Sequence, residues 1–211
     1  MRDRLTSLGA YTQMLQTKAQ GSNDKFNANA LDKMNQQVRK MTALINGFLN
    51  VSRLESGKIQ LVKQPFNLID LINDAIEDSR LTVSSHTIYF PYGAPVIVNA
   101  DKDKIGAVVS NLLSNAIKYS PRGTTVEVRC DVIDDMAQVS VKDEGMGIKP
   151  KDIEKLFDRY YRVNSQHTQH ISGFGIGLYL SAEIIERHNG KIWVESEPDK
   201  GSTFYFSLNV A

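Results

Sequence analysis

Asn111 and Asn115 stand four residues apart, Lys118 follows three later, and Leu112, Leu113, Ala116 and Ile117 between them are apolar. At helical spacing the two amides and the ammonium share one face, while the apolar residues take the other. Asn is a poor helix former, so a pair of amides there calls for a reason. An amide oxygen is a hard donor of the kind Mg²⁺ accepts while it keeps water and bridges to phosphates. A helix with two surface asparagines fits the same letters. Further on, Asp143-Glu-Gly145-Met-Gly147 sets a carboxylate at the end of a strand before two glycines. Such a carboxylate can accept a hydrogen bond from an exocyclic amine, which adenine offers, and the glycines allow a ligand close to the backbone. A plain tight turn is the other reading. Leu156-Phe157-Asp-Arg-Tyr-Tyr161-Arg162 is aromatic and basic, and is equally a helix end packed on a core. Gly173-Phe-Gly175-Ile-Gly177-Leu178 opens an apolar helix that runs to about Arg187. Backbone N–H groups at such a helix start can receive phosphate oxygens.

The last motif differs from a dinucleotide fingerprint in context, because it follows the polar loop from Asn164 to Ser172 and not a strand. A P-loop is absent. With 41% hydrophobic residues and a net charge of +1 over 211 residues, the chain has enough apolar content for one good core or two small ones. That balance gives no reason to expect nucleic acid or lipid as a partner. The single Cys130 lies in an alternating run, reads as a half-buried strand residue and suits a reducing compartment. No apolar run approaches the roughly 18 residues of a membrane span, and the first residues do not form a signal peptide. The expectation is a cytoplasmic chain, tied to a membrane only through regions outside it. No internal repeat or low-complexity segment interrupts the sequence.

Two helices are expected from about residue 3 to residue 57. In the second, Leu31, Met34, Val38, Met41, Ile45 and Phe48 recur at spacings of 3, 4, 3, 4 and 3, as in a coiled-coil or bundle seam. The first carries Leu5, Leu8, Tyr11, Met14 and Leu15, and a polar connector from Gly21 to Asn29 reverses the chain into an antiparallel hairpin. A hairpin from a second protomer would complete a four-helix bundle; folding back on the next domain is the alternative. Gly57 can end the second helix, and the composition changes between residues 57 and 65. Asn67 and Asp101 read as helix caps. Strands are expected over Thr87–Phe90, Val96–Ala100, Thr124–Ile133, Met136–Lys142, Lys191–Ser196 and Thr203–Val210, with Asp134-Asp135 at a turn. Hairpin-connected strands interleaved with helices favour an α+β sandwich, a mixed sheet with helices on one face.

Five stretches together carry a family resemblance. Asn111 to Tyr119, Asp143 to Gly147, Leu156 to Arg162, Gly173 to Leu178 and Gly201-Ser-Thr-Phe204 resemble, in order, the asparagine box, first glycine box, phenylalanine box, second glycine box and terminal box of the sensor histidine kinases. Leu5-Thr-Ser-Leu is similar to the end of their phospho-acceptor box, and Leu44 to Lys58 looks like the end of their second dimerisation helix. The resemblance implies a dimerisation and phosphotransfer hairpin at 1–57, a linker at 58–65 and a Bergerat-type ATP-binding sandwich at 66–211. Residues 5–55 would form the homodimer.

Carried onto this sequence, it implies ATP and Mg²⁺ as cofactors, with Asn115 as the Mg²⁺ ligand and Asn111 beside it on the catalytic face. Lys118 would neutralise phosphate charge, Tyr119 would line the pocket and Asp143 would hold the adenine amine. Gly145 and Gly147 would admit the base; Gly173, Gly175 and Gly177, with Leu178, would frame the lid over the phosphates, residues 163 to 172. Arg162 would reach the terminal phosphate. Two departures accompany these matches. The acceptor histidine is expected at a position preceding Met1, and Arg4 stands where the family usually has Pro. The lid carries His167 and His170 but no Lys or Arg. The expected function is the ATP-binding part of a kinase that phosphorylates a histidine not in this chain and then a response-regulator receiver domain. The alternative is a dimeric, nucleotide-sensing scaffold without transfer. The abrupt helical start is read as a cut through a longer protein, and a naturally degenerate kinase is the other explanation.

Overall fold

The computed structural model describes residues 2–21, 24–55, 60–163 and 174–211, and the chain divides into two compact units, Met1–Ile59 and Gln60–Ala211. In the first, α1 (Arg2–Gly21) lies beside α2 (Lys25–Glu55). Thr12 Oγ1 bonds to Asn35 Oδ1, Asn35 Nδ2 donates to Gln16 Oε1 at 2.7 Å, and Gln16 Nε2 donates to Asp32 Oδ1 at 3.4 Å. Rising positions on α1 meet falling positions on α2, so the helices are antiparallel. The contact is made by small and polar residues: Thr12, Ala19 and Val38 are buried, and the space beside Gly9 is filled by Val38 Cγ1. The larger apolar residues of α1, Leu8, Tyr11, Met14 and Leu15, are exposed. Of the α2 seam, Val38 is buried and Leu31 and Ile45 are half-buried, while Met34 and Met41 remain 55% and 51% exposed. Two helices have only one shared side, and a full heptad seam needs more than that to cover it. The side chains of Leu5 and Phe48 lie outside the described ones.

The second unit is a mixed α/β fold. It runs β1 (Gln64–Asn67), α3 (Leu68–Thr82), β2 (Thr87–Tyr89), β3 (Ile97–Ala100), α4 (Lys102–Tyr119), β4 (Thr125–Ile133), β5 (Met136–Asp143), α5 (Pro150–Ile153), α6 (Gly177–Arg187), β6 (Lys191–Glu197) and β7 (Gly201–Asn209). Asn67 caps α3 through a bond from Ile69 N–H to its Oδ1, and Asp101 caps α4 by accepting from Lys104 N–H. Asp134 and Asp135 both take positive φ, 50° and 60°, as a two-residue hairpin turn between twisted strands requires.

The five-stranded sheet has the order β2-β4-β5-β7-β6, in which β2 joins β4 in parallel and every other pair is antiparallel. The two strands read near residues 87–100 part company: β3 leaves this sheet to pair with β1 in a two-stranded ribbon. Alternation along the strands turns Val126, Val128, Val139, Val141, Phe204 and Phe206 toward one core, where they meet Ile72, Ile105, Leu112, Leu113 and Ile185 of α3, α4 and α6. The other face carries Trp193 stacked on Tyr205, with ring centroids 5.0 Å apart and planes at 6°. Among the described residues no helix is long and apolar enough to cross a membrane.

Candidate functional site

The apolar stripe of α4 is committed to the core, which leaves its other side to line a cavity of about 270 Å³. Asn111, Ser114, Asn115, Lys118 and Tyr119 contribute from α4; Asp143 contributes from the end of β5, and Gly147 from the turn that follows. Arg162 closes another side, and Gly175, Gly177 and Leu178 arrive from the start of α6. Ten of the residues marked from the sequence therefore meet in one cavity. Gly145 is not in the lining but supports it, because its N–H donates to Asp143 Oδ1 at 2.8 Å. Gly173, His167 and His170 lie outside the described residues.

Val163, the first residue of the expected lid, also lines the cavity, as do Met146, Ile148, Phe174, Ser202 and Phe204, which carried no role in the sequence reading. Ile148 stands one place beyond a marked glycine. Ser202 and Phe204 lie in the terminal box, and antiparallel register sets Ser202 directly opposite Asp143. That neighbour depends on β7 returning beside β5, which no local pattern specifies.

The cavity is electrostatically divided. Asp143 is 4% exposed, and burial pushes its carboxyl up to about 6, against the opposing pull of backbone N–H groups from Gly145 and Ser202. A buried carboxyl with one oxygen already bonded, beside Met146 and Ile148, suits a flat heterocycle with an amine to donate. On α4, Lys118 is shifted down by burial and by the positive charge of Arg162, and its Nζ lies 5.1 Å from the Tyr119 ring centroid. Burial raises the Tyr119 hydroxyl, with Arg162 pulling the other way. The positive charge of Arg162 acts on the half-buried Lys118, and an anion beside Lys118 would relieve that repulsion.

Glycine is required twice at the mouth of the site. Gly175 has φ +65°, its carbonyl accepts from Tyr160 N–H at 2.9 Å, and a Cβ there would lie 2.5 Å from Tyr161 O. At Gly177 a Cβ would lie 2.5 Å from Asn111 Oδ1. Asn111 is held in that place by its Nδ2, which donates to Ser181 Oγ at 3.0 Å. The start of α6, capped by no side chain, is thus seated directly on the amide of Asn111. Among the described residues no three His, Cys, Asp or Glu side chains gather as a metal centre. The donor set accordingly fits Mg²⁺ only as an ion shared between an amide oxygen, phosphates and water.

The family model for histidine kinase-, DNA gyrase B-, and HSP90-like ATPases matches residues 100–211, which include α4, the cavity and all strands after β3. The sensor histidine kinase WalK of Bacillus subtilis (strain 168) is 34% identical over 213 residues, covering 99% of this chain and 34% of WalK. The adaptive-response sensory kinase SasA of Synechococcus sp. (strain JA-2-3B'a(2-13)) is 36% identical over 217 residues, covering 100% of this chain and 56% of SasA. The chain thus spans between a third and somewhat over half of these relatives. The solved mycobacterial sensor histidine kinase MprB superposes with a TM-score of 0.63 at 27% identity, over 71% of this chain and 98% of that one. With a family match across more than half its length, the chain belongs to the histidine kinase-, DNA gyrase B-, and HSP90-like ATPases, and the relatives named here are sensor kinases.

Proposed function

We propose that this chain binds ATP with Mg²⁺ and serves a sensor histidine kinase as its phosphoryl-donating part. The observation that carries this reading is that one cavity is lined together by a buried carboxyl, two cations and two amides. Asp143 accepts from the adenine amine, and Met146 and Ile148 flank the base. Tyr119 lines the nucleotide path. Lys118 and Arg162 receive phosphate oxygens and stabilise charge as the terminal phosphoryl leaves. Asn115, with Asn111 beside it, supplies the amide oxygen for Mg²⁺, an ion that when bound neutralises and orients the phosphates. The glycine-bordered start of α6 offers backbone N–H groups to the same phosphates.

The phosphoryl group passes to a histidine nitrogen outside the four histidines of this chain, with a P–N bond forming as the bond to the ADP oxygen breaks. From there it moves to an aspartate of a response-regulator receiver domain. Residues 1–57 act as the dimerisation hairpin, 58–65 as a linker and 66–211 as the ATP-binding domain. The exposed Met34 and Met41 on α2 support a homodimer through residues 5–55, since a second hairpin would cover them as a four-helix bundle. The testing experiment incubates the chain with γ-labelled ATP and Mg²⁺ and measures bound nucleotide and acid-labile phosphate separately. Bound nucleotide without protein label is the expected result; an absence of bound nucleotide would overturn the reading.

A further inference from the structure

His188 belongs to none of the boxes, yet it is 5% exposed at the end of α6. Its Nδ1 lies 2.7 Å from Ile184 O, one turn back, so this nitrogen carries the ring hydrogen. Its Nε2 accepts the backbone N–H of Asp101 at 3.0 Å. Asp101 is the N-cap of α4, and its carboxylate accepts from Lys104 N–H at 3.1 Å and from Val62 N–H at 3.0 Å. One imidazole therefore fastens the C-cap of α6 to the N-cap of α4, whose carboxylate also holds the chain entering at Val62.

The same two helices are tied again where the cavity lies. There Asn111 Nδ2 meets Ser181 Oγ at 3.0 Å, and Gly177 packs on the Asn111 amide. His188 and Ser181 are about two helical turns apart, roughly 10 Å along α6. Between these ties both helices contribute to the apolar core, α4 through Ile105 and α6 through Ile184 and Ile185. Apolar burial is non-directional and tolerates a small slide, whereas a hydrogen bond to a ring nitrogen fixes a distance and a direction. A shift of α6 along α4 would carry Gly177 and Leu178 away from Asn111 and change the cavity wall.

We propose that His188 is a positioning residue for the nucleotide site: its bond to the Asp101 N–H sets the register of α6 on α4 and so seats Gly177 and Leu178 against Asn111. The proposal rests on the nucleotide reading of the cavity. It makes the two ring nitrogens unequal, because only Nε2 spans the helices while Nδ1 bonds within α6. His188→Gln keeps an acceptor near the Nε2 position, and His188→Asn keeps a donor near the Nδ1 position.

The test is the affinity of ADP with Mg²⁺ for the unaltered chain and both variants, measured by calorimetry, with circular dichroism and Tm to establish folding. His188→Gln is expected to bind within about threefold of the unaltered chain and His188→Asn about tenfold more weakly, the scale of one lost hydrogen bond. A residue that merely finished the helix would lower Tm in both variants and leave their ADP affinities alike, and that result would overturn the proposal. Should His188→Asn not fold, amide exchange in the unaltered chain decides. By linkage, saturating ADP must slow exchange at Asp101 N–H if this bond favours the binding-competent register. Exchange at Asp101 unmoved by bound ADP would overturn it. No ADP binding by the unaltered chain would overturn the nucleotide reading itself, and this proposal with it.

Discussion

Asn111 Nδ2 donates to Ser181 Oγ across 3.0 Å, and this bond ties the helix of amides to the helix that opens at Gly177. The amide of Asn111 is thereby oriented before any ligand arrives, with its oxygen against the Gly177 backbone. Preorganisation of this kind lowers the cost of binding, because the side chain has already surrendered its rotamers.

Gly177→Ala follows directly from that contact. The new methyl would lie 2.5 Å from Asn111 Oδ1, so either the amide turns away or α6 shifts. ADP affinity is expected to fall by about tenfold, with an overpacking loss of about 1 to 3 kcal/mol in stability. Calorimetry and urea denaturation on the same preparation measure both; unchanged ADP affinity would mean that the Asn111 amide does not shape the pocket.

Asp143→Asn should separate binding from stability. The carboxyl of Asp143 is raised from 3.8 to about 6 by burial, so the fold holds its proton more tightly than the unfolded chain does. Its contribution to stability is complete below 3.8 and is lost as pH rises through about 6. Above pH 7 the ionised side chain therefore costs the fold up to roughly 3 kcal/mol, since a tenfold change in proton affinity is worth about 1.4 kcal/mol. At pH 8 the Asn variant should be at least as stable as the unaltered chain and bind ADP more than tenfold more weakly. A large drop in Tm at pH 8 with ADP affinity retained would contradict both halves.

Lys118→Met should affect phosphates and spare the base. The ammonium is shifted down by burial and by Arg162, the position of a cation waiting for an anion. Affinity for ATP is expected to fall by about tenfold to a hundredfold, the scale of one charge-assisted bond, while adenosine affinity stays unchanged. Equal losses for the two ligands would move Lys118 from the phosphate end to the base.

Acid stability offers a further check, because two buried groups act oppositely. His188 is shifted below 6.5, chiefly by burial, with Lys63 lowering it further and the Ile184 carbonyl and Asp101 opposing. Its contribution is present above 6.5 and is lost as pH falls, since the unfolded chain takes up that proton first. Asp143 gains stability across nearly the same range. In denaturation between pH 5 and pH 8, about the span where histidine titrates, His188→Gln should make stability rise more toward acid, and Asp143→Asn should make it fall more. Parallel curves for the unaltered chain and His188→Gln would mean that the ring does not titrate with folding.

In the helical unit, Met34→Glu with Met41→Glu should yield monomers in sedimentation. Both side chains are exposed beside a single neighbour helix and would enter a four-helix core on dimerisation, where unpaired carboxylates are costly. Undiminished dimerisation would place the interface elsewhere on the chain.

Legibility in the sequence followed the range of the interaction. Asn111, Asn115 and Lys118 could be grouped because helical spacing is local, and Asp143 because a strand ends and a glycine turn begins within a few residues. Ser202 opposite Asp143 needed the β5–β7 register, and the bond between Asp101 and His188 spans 87 residues. His188 belongs to none of the boxes, and that it holds α4 is a property of the packed structure. In α1 the apolar residues suggested the inner side, yet Gly9, Thr12, Gln16 and Ala19 face α2, because small and mutually hydrogen-bonded side chains allow the closer approach.

The stacked pair of Trp193 and Tyr205 has an optical consequence. Trp193 is the chain's single tryptophan, and it sits on the sheet face turned away from the core. Its emission is therefore set by a stacked tyrosine and by solvent, not by whatever enters the cavity. Phe204, the residue preceding Tyr205 on β7, lines that cavity. A ligand titration that quenched the fluorescence would report movement transmitted through one strand, and a silent titration would leave the same signal as a clean monitor of unfolding.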